Sequence, residues 1–180
     1  REAGVDAVKL EGGNESRLSR IRAIVAAGIP VVAHIGLTPQ TATALGGLRA
    51  QGRTVETAER LVREAFAVAE AGAFSVVIEA VPTGVADVLR EGLPIPIIGI
   101  GAGPAHGQVL VLHDLLGVTE GTTAKFVKSF GTIGDDTVAA ISAYAEEVRG
   151  GTFPASEHQY GASDEAVAAA RAALDARRSE

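Results

Sequence analysis

The 180 residues include no cysteine, no methionine and no tryptophan, and the aromatic residues amount to two tyrosines and five phenylalanines. Without cysteine there is no disulfide framework, no thiol nucleophile and no thiolate metal site, a usage that points to the cytoplasm and lends secretion no support. Basic residues are outnumbered, 16 Lys and Arg against 22 Asp and Glu, for a net charge of −6, and no basic run could neutralise a phosphate backbone. Nucleic acid is not an expected partner. Long uninterrupted apolar runs are missing too. The longest stretch free of formal charge, 93–112, has the length of a membrane span, but Pro94, Pro96, Pro104 and four glycines would break a lone helix. It reads as strand, loop, strand, and a membrane is not expected either. The sequence opens Arg-Glu-Ala-Gly, with neither an initiator nor a signal pattern, so Arg1 is not expected to be the native start.

What is present is one junction repeated. A helix-like stretch closes on Gly, two or three residues follow, and a short β-branched run begins, at Gly4, Gly28, Gly72 and Gly92. Glycine at the end of a helix turns the chain out of it cheaply, so each junction reads as a helix stop followed by a strand start. Strands are expected at 5–10, 31–35, 75–78, 97–100 and 109–112, apolar enough to be buried on both faces of a parallel sheet. Between the second and third, residues 54–71 repeat apolar positions at helical spacing through Ala58, Leu61, Val62, Ala65, Val68 and Ala69. Arg1-Glu2-Ala3 reads as the last turn of a helix whose start is absent. Five strands in 180 residues fit the C-terminal part of an α/β TIM (β/α)8 barrel, about five of its eight strands, with an open doubly wound sheet as the alternative. Residues 1–160 are assigned to that single barrel domain. A helix is expected at 135–148, closed by Gly150, and 161–180 reads as a terminal helix or tail capped by Ser163.

The polar groups that matter fall at strand ends. In Val8-Lys9-Leu10-Glu11, period-two alternation puts Lys9 and Glu11 on one face, able to project into a barrel mouth. Lys9 could pair with a substrate carboxylate and Glu11 could face a hydrated magnesium ion; the alternative is an internal Lys–Glu ion pair. His34 lies near the end of the second strand, as a ligand-contacting ring or a satisfied core histidine. Thr38 and Pro39 read as the cap and first position of a helix. Glu79 follows Ser75-Val76-Val77-Ile78, and a carboxylate at a dry strand end is a competent general base for a carbon acid; a Glu neutralised by a nearby Arg or Lys is the alternative. Gly99, Gly101 and Gly103 lack dinucleotide-loop spacing and the P-loop lysine, so close backbone approach explains them at least as well as a phosphate cradle.

Together these segments resemble the ketopantoate hydroxymethyltransferase family (3-methyl-2-oxobutanoate hydroxymethyltransferases), first committed enzymes of pantothenate synthesis. The resemblance runs from about Ala3 to Tyr160 and rests on Val8-Lys9-Leu10-Glu11-Gly12-Gly13, Ala33-His34-Ile35-Gly36-Leu37-Thr38-Pro39-Gln40, Gly46-Gly47 with Gln51-Gly52-Arg53, Ile78-Glu79-Ala80-Val81-Pro82, Ile98 to Gly103, Gly107-Gln108-Val109-Leu110-Val111 and Glu157-His158. It implies a βα barrel of the phosphoenolpyruvate/pyruvate-binding type that binds Mg2+ and an α-keto acid and takes a one-carbon unit from 5,10-methylenetetrahydrofolate. By matching motifs, Lys9 would hold the substrate carboxylate, Glu11 would belong to the metal site, His34 would contact substrate or product, and Glu79 would accept the C3 proton. A cytoplasmic homo-oligomer, a decamer in the family, is implied as well. The sequence departs from the family pattern at Leu48, at His106 where an Asp is usual, and at Gln159-Tyr160. The family's direct magnesium ligands, two aspartates with an adjacent serine on earlier strands, have no counterpart in it. Two other functions fit less of the sequence: another metal-dependent α-keto-acid carbon–carbon lyase or mutase, separated by an assay for one-carbon transfer, and a non-catalytic barrel fragment, separated by the upstream coding sequence.

Overall fold

The computed structural model describes residues 4–40 and 49–178. The readings placed on Arg1-Glu2-Ala3, Gly46-Gly47 and Leu48 lie outside these residues. Two compact units are present, residues 1–131 and 132–180.

In the first unit, strands alternate with helices: β1 (Val8–Glu11), α1 (Glu15–Ala26), β2 (Val31–Gly36), α2 (Val55–Glu70), β3 (Ser75–Glu79), α3 (Thr83–Gly92), β4 (Ile97–Ile100), β5 (Gly107–Gln108) and α4 (Leu112–Leu116). The five strands form one sheet in chain order, every pair parallel. A doubly wound sheet reverses its strand order partway; this one does not, which is the winding of a βα barrel. The arc holds about five of eight strands.

Helix boundaries follow local chemistry. Asn14 accepts the Arg17 amide at 3.1 Å to start α1. Thr54 and Thr57 cap α2 reciprocally, each hydroxyl accepting the other's amide. The predicted apolar face of α2 is the buried one, with Leu61, Ala65 and Val68 at its centre. Those side chains meet Leu18 and Ile21 of α1, Ala86 and Leu89 of α3, and the outward-facing row Val31, Ala33, Ile35, Val76, Ile78 and Ile97. Removing this apolar surface from water supplies the unit's main driving force, about 25 cal/mol per Å².

Some boundaries differ from the sequence reading. Pairing begins at Val8 rather than residue 5, and Val5 is exposed. The fifth strand is Gly107–Gln108, not 109–112, because only there does the backbone reach β4, pairing with Ile98 and Gly99; the Val109 amide closes the ladder on the Gly99 carbonyl at 2.9 Å, and Leu112 already begins α4. The apolar run that suggested a strand is spent on a connection and a helix start. Gly92 is the last residue of α3, and Leu93 caps it in an extended conformation, whereas Gly4, Gly28 and Gly72 do take the left-handed form. His106 accepts the Ile97 amide at Nδ1 (3.2 Å) and so secures the start of β4.

The second unit contains α5 (Ile133–Gly150) and α6 (Asp164–Arg178), with a 3₁₀ turn at Ser156–His158 between them. Gly151, one residue later than expected, is the left-handed cap of α5. Phe153 packs edge-on against Tyr144 and beside His158, with ring centres 5.5 and 5.3 Å apart. Ser163 accepts the Ala166 amide at 3.3 Å, as a cap of α6 should.

Candidate active site

Registered neighbours in a parallel sheet point to the same side, so the pairing settles which residues share a face. Glu11 is level with His34, Lys9 with Val32, Gly36 with Glu79, and Glu79 with Ile100. Lys9, Glu11, His34 and Glu79 therefore occupy one face, opposite the row that packs against the helices. Within it, Glu79 stands two residues further along its strand than Val77, the partner of His34. The stagger makes His34 and Glu79 diagonal neighbours, a separation long side chains span.

His34 is 3% exposed and lies between two carboxylates. Its Nε2 is 3.1 Å from Glu79 Oε2 and its Nδ1 is 3.8 Å from Glu11 Oε1. Neither ring nitrogen has a partner at hydrogen-bonding angles, although both are buried. Buried polar atoms ordinarily find partners, and this ring, close to two carboxylates but aligned with neither, departs from that pattern. Glu11 is tethered by the Gln40 amide, which donates to its Oε2 at 3.3 Å. Pro39 and Gln40 begin a 3₁₀ turn, consistent with the helix entry expected there. Lys9 is exposed and shares a small cavity of about 120 Å³ with Glu11 and Gln40. It makes no ion pair among the described residues, so the internal Lys–Glu pair is not what holds it.

The position of Glu79 is set by backbone. Beyond the paired strands the ladder continues: the Gly12 amide donates to the His34 carbonyl (2.8 Å), Leu37 to Glu79 (2.9 Å) and Ala80 to Ile100 (2.9 Å). Gly36, at φ +89°, lies against the Glu79 peptide so closely that a Cβ would collide with the Glu79 carbonyl oxygen. Ala80 takes φ +52°, a conformation that costs an L-residue about 1–2 kcal/mol, and turns the chain out of the sheet immediately after Glu79. The Gln51 amide holds that turn by donating to the Ala80 carbonyl at 2.9 Å. Buried Gln51 is itself fixed, its Nε2 donating to the Arg49 carbonyl (3.0 Å) and its Oε1 accepting from Arg60 (3.2 Å). Sequence reasoning did not single out Gly36, Gln51 or Ala80 as parts of a site. Gln51-Gly52-Arg53 was visible only as a motif, and the left-handed turn falls on an alanine, where sequence gives no sign of it.

Glu79 faces a cleft of about 900 Å³, walled by Leu37, Val81, Pro82 and Phe126 among others. The glycine-rich segment forms part of its wall. A Cβ at Gly101 would strike the Phe126 ring, and one at Gly103 would lie 2.7 Å from the Thr83 Cα. Close approach explains these glycines without a phosphate. Among the described residues no group of three or more His, Asp or Glu side chains is placed to hold a metal ion. Glu11 offers one oxygen donor toward a cation, and the described residues do not by themselves complete a magnesium site.

A parallel sheet wound in chain order, with its ionisable side chains gathered at the carboxyl ends of its strands, defines a βα-barrel protein with a carboxylate-centred site. Residues 1–156 match the family model described as ketopantoate hydroxymethyltransferase. The chain belongs to that family. It is 51% identical to the 3-methyl-2-oxobutanoate hydroxymethyltransferase of Heliobacterium modesticaldum over 92% of this chain and 60% of that protein. It is 56% identical to the Rhodococcus jostii protein of the same name, over 89% of this chain and 55% of that one. A rice relative, named as mitochondrial, is 51% identical over 88% of this chain and 45% of its own length. The chain thus spans about half to three-fifths of the curated relatives it matches. No helix among the described residues is long and apolar enough to cross a membrane.

Proposed function

We propose that the protein transfers a hydroxymethyl group from 5,10-methylenetetrahydrofolate to 3-methyl-2-oxobutanoate, giving ketopantoate for pantothenate synthesis. The observation that carries this reading is the Glu79 carboxylate, held by backbone at the mouth of a large cleft with the His34 ring 3.1 Å away. Lys9 binds the carboxylate of the keto acid. Glu79 removes the proton from C3, leaving an enolate; water adds its hydroxyl to the folate-borne methylene carbon as one of that carbon's two C–N bonds breaks, the enolate's electron pair forms the new C–C bond as the other breaks, and the C3 proton and the second proton of the water end on the two freed folate nitrogens, so that ketopantoate and tetrahydrofolate leave. His34, wedged between Glu11 and Glu79, orients the base and contacts the bound acid. Magnesium, whose preference for oxygen donors Glu11 meets, would polarise the keto group when bound. The family resemblance also supports a homo-oligomer in the cytoplasm.

The test isolates proton removal. In the complete protein, Glu79→Gln keeps the side chain's size and removes its proton acceptor. Exchange of the C3 proton of 3-methyl-2-oxobutanoate with deuterated solvent, followed by NMR without folate, should slow by about 10²–10⁴-fold while keto-acid binding persists. Exchange at the wild-type rate, with binding confirmed, would place the base elsewhere.

A further inference from the structure

A chain of contacts reaches the Glu79 turn from well outside the cleft. Arg60, on the second turn of α2, does not line the cleft that Glu79 faces; it lines a separate cavity of about 310 Å³ with Gly13, Gly36 and Glu64. Its guanidinium works from two edges. Nη2 donates to Gln51 Oε1 at 3.2 Å, and Nε lies 3.7 Å from Glu64 Oε1, one turn further along the same helix. Arginine carries its donors in a rigid fork, so one side chain serves both partners in fixed directions.

Each partner leads to the end of a strand that carries a carboxylate. Gln51 is buried, its Nε2 donates to the Arg49 carbonyl at 3.0 Å, and its own amide donates to the Ala80 carbonyl at 2.9 Å, next to Glu79. Gly52 fits in beside it, where an added Cβ would meet Leu61 of α2, Pro82 and Val85 at 3.5–3.8 Å. Gln51-Gly52 thus bridges α2 and the segment after β3. On the other side, the Glu64 stem packs so closely on Gly13, two residues beyond Glu11, that a Cβ there would lie 2.8 Å from the Glu64 Cβ. One turn of α2 braces the chain beyond both β1 and β3. The second of these places needs a brace, because Ala80 holds φ +52° and such a conformation persists only where its surroundings impose it.

We infer that Arg60 is a positioning residue for the reaction: through Gln51 it keeps the Ala80 turn in its left-handed form and so holds the Glu79 carboxylate in place, while touching neither substrate. This rests on the function proposed above, in which Glu79 is the base. Without the guanidinium, Gln51 Oε1 loses its donor from the helix, residues 49–53 drift from α2, and the turn relaxes. Lys9 lies in the paired part of β1, so the hold on the keto acid is unaffected.

The complete protein carries the test. In Arg60→Gln, exchange of the C3 proton of saturating 3-methyl-2-oxobutanoate with deuterated solvent, without folate, should slow by about threefold to tenfold, less than the roughly 10²-fold a full 1 Å misplacement can cost, with the keto acid's dissociation constant unmoved. Backbone deuterium uptake across 49–53, read by mass spectrometry, should quicken as the Gln51 amide loosens from the Ala80 carbonyl. Gln51→Ala breaks the same link from its other side and should also slow C3 exchange, and the double variant should be no slower than Gln51→Ala alone, because the two side chains act as one unit. Arg63→Gln removes the same charge from an exposed ion pair of the same helix and should leave both readings at wild type. Wild-type C3 exchange in Arg60→Gln would overturn the inference, as would unchanged uptake across 49–53, a loss accounted for by weaker keto-acid binding, or losses that multiply in the double variant. Failure of the proposed function would look different: Glu79→Gln would exchange at the wild-type rate while Arg60→Gln still quickened uptake across 49–53.

Discussion

Replacing Gly36 with alanine tests whether the placement of Glu79 depends on backbone contact. The new Cβ would fall inside the Glu79 carbonyl oxygen's contact distance and 3.1 Å from both Glu79 N and Val81 Cγ2. Ordinary contact begins near 3.4 Å, so the Glu79 peptide must retreat by about 1 Å. The same oxygen accepts the Leu37 amide, so retreat also stretches a 2.9 Å hydrogen bond and draws the carboxylate away from His34. A misplacement of about 1 Å can cost about 10²-fold in rate, and that loss is expected in deuterium exchange at C3 of the keto acid. Alanine at φ +89° carries its own penalty of about 1–2 kcal/mol, which would lower the melting temperature whether or not the site moved. Gly28 separates the two effects. It has a similar positive φ of 76°, but no atom lies within 4 Å of the place its methyl would take, so Gly28→Ala carries the conformational penalty without the collision. Both variants should melt lower, by about 2–4 °C per kcal/mol, with Gly36→Ala the lower of the two. Only Gly36→Ala should lose exchange activity. Equal activity in the two variants would refute the claim that the Gly36 contact positions the base.

Lys9→Ala should weaken binding of 3-methyl-2-oxobutanoate by about 1.5 kcal/mol, the lower end for a hydrogen bond to a charged group because Lys9 is exposed; an unchanged dissociation constant by titration would remove Lys9 from the site. Glu64, on α2, has its carboxyl pKa pushed above the ordinary 4.5, mainly by burial and against the pull of Arg60 and Arg63. The folded state thus holds that proton more tightly than the unfolded chain, so this group's contribution to stability is present below pH 4.5 and is lost as pH rises through the raised value. Glu64→Gln should accordingly raise the melting temperature at about pH 7 relative to wild type and lose that advantage below about pH 4. A lower melting temperature for the variant at neutral pH would mean that the ion pair with Arg60 outweighs the burial cost.

The repeated Gly-to-strand junction and the helical spacing of α2 are local signals, and they located four strands and the buried face through Leu61, Ala65 and Val68. Where pairing depends on a distant partner, composition misleads. Residues 109–112 are more strand-like than Gly107-Gln108, yet the backbone of β4 is reached only by the latter. The candidate site shows the same division. Period-two alternation put Lys9 and Glu11 on one face and set His34 and Glu79 at strand ends, but strand stagger alone brings Glu79 diagonally onto His34, and stagger is a property of the sheet. Gln51 and Ala80 were invisible as site components because their part is played through peptide groups, which every residue possesses. Arg49, Arg53 and Lys125, which line the cleft together with Glu79, come from two connections far apart in sequence, a proximity no spacing rule reports.

The ladder that runs past the strand ends, from Gly12 to His34, Leu37 to Glu79 and Ala80 to Ile100, has a consequence for how such a protein can change. Because peptide groups space the rim, the identity of a rim side chain and its location are separate variables. Positions 11, 34 and 79 can exchange one functional group for another while the frame beneath them stays in place. Position 36, which carries no functional group, tolerates far less. For anyone seeking to redirect this scaffold to a new reaction, the residues proposed to perform chemistry are the ones free to be edited, and the silent glycine beside them is the one to leave alone.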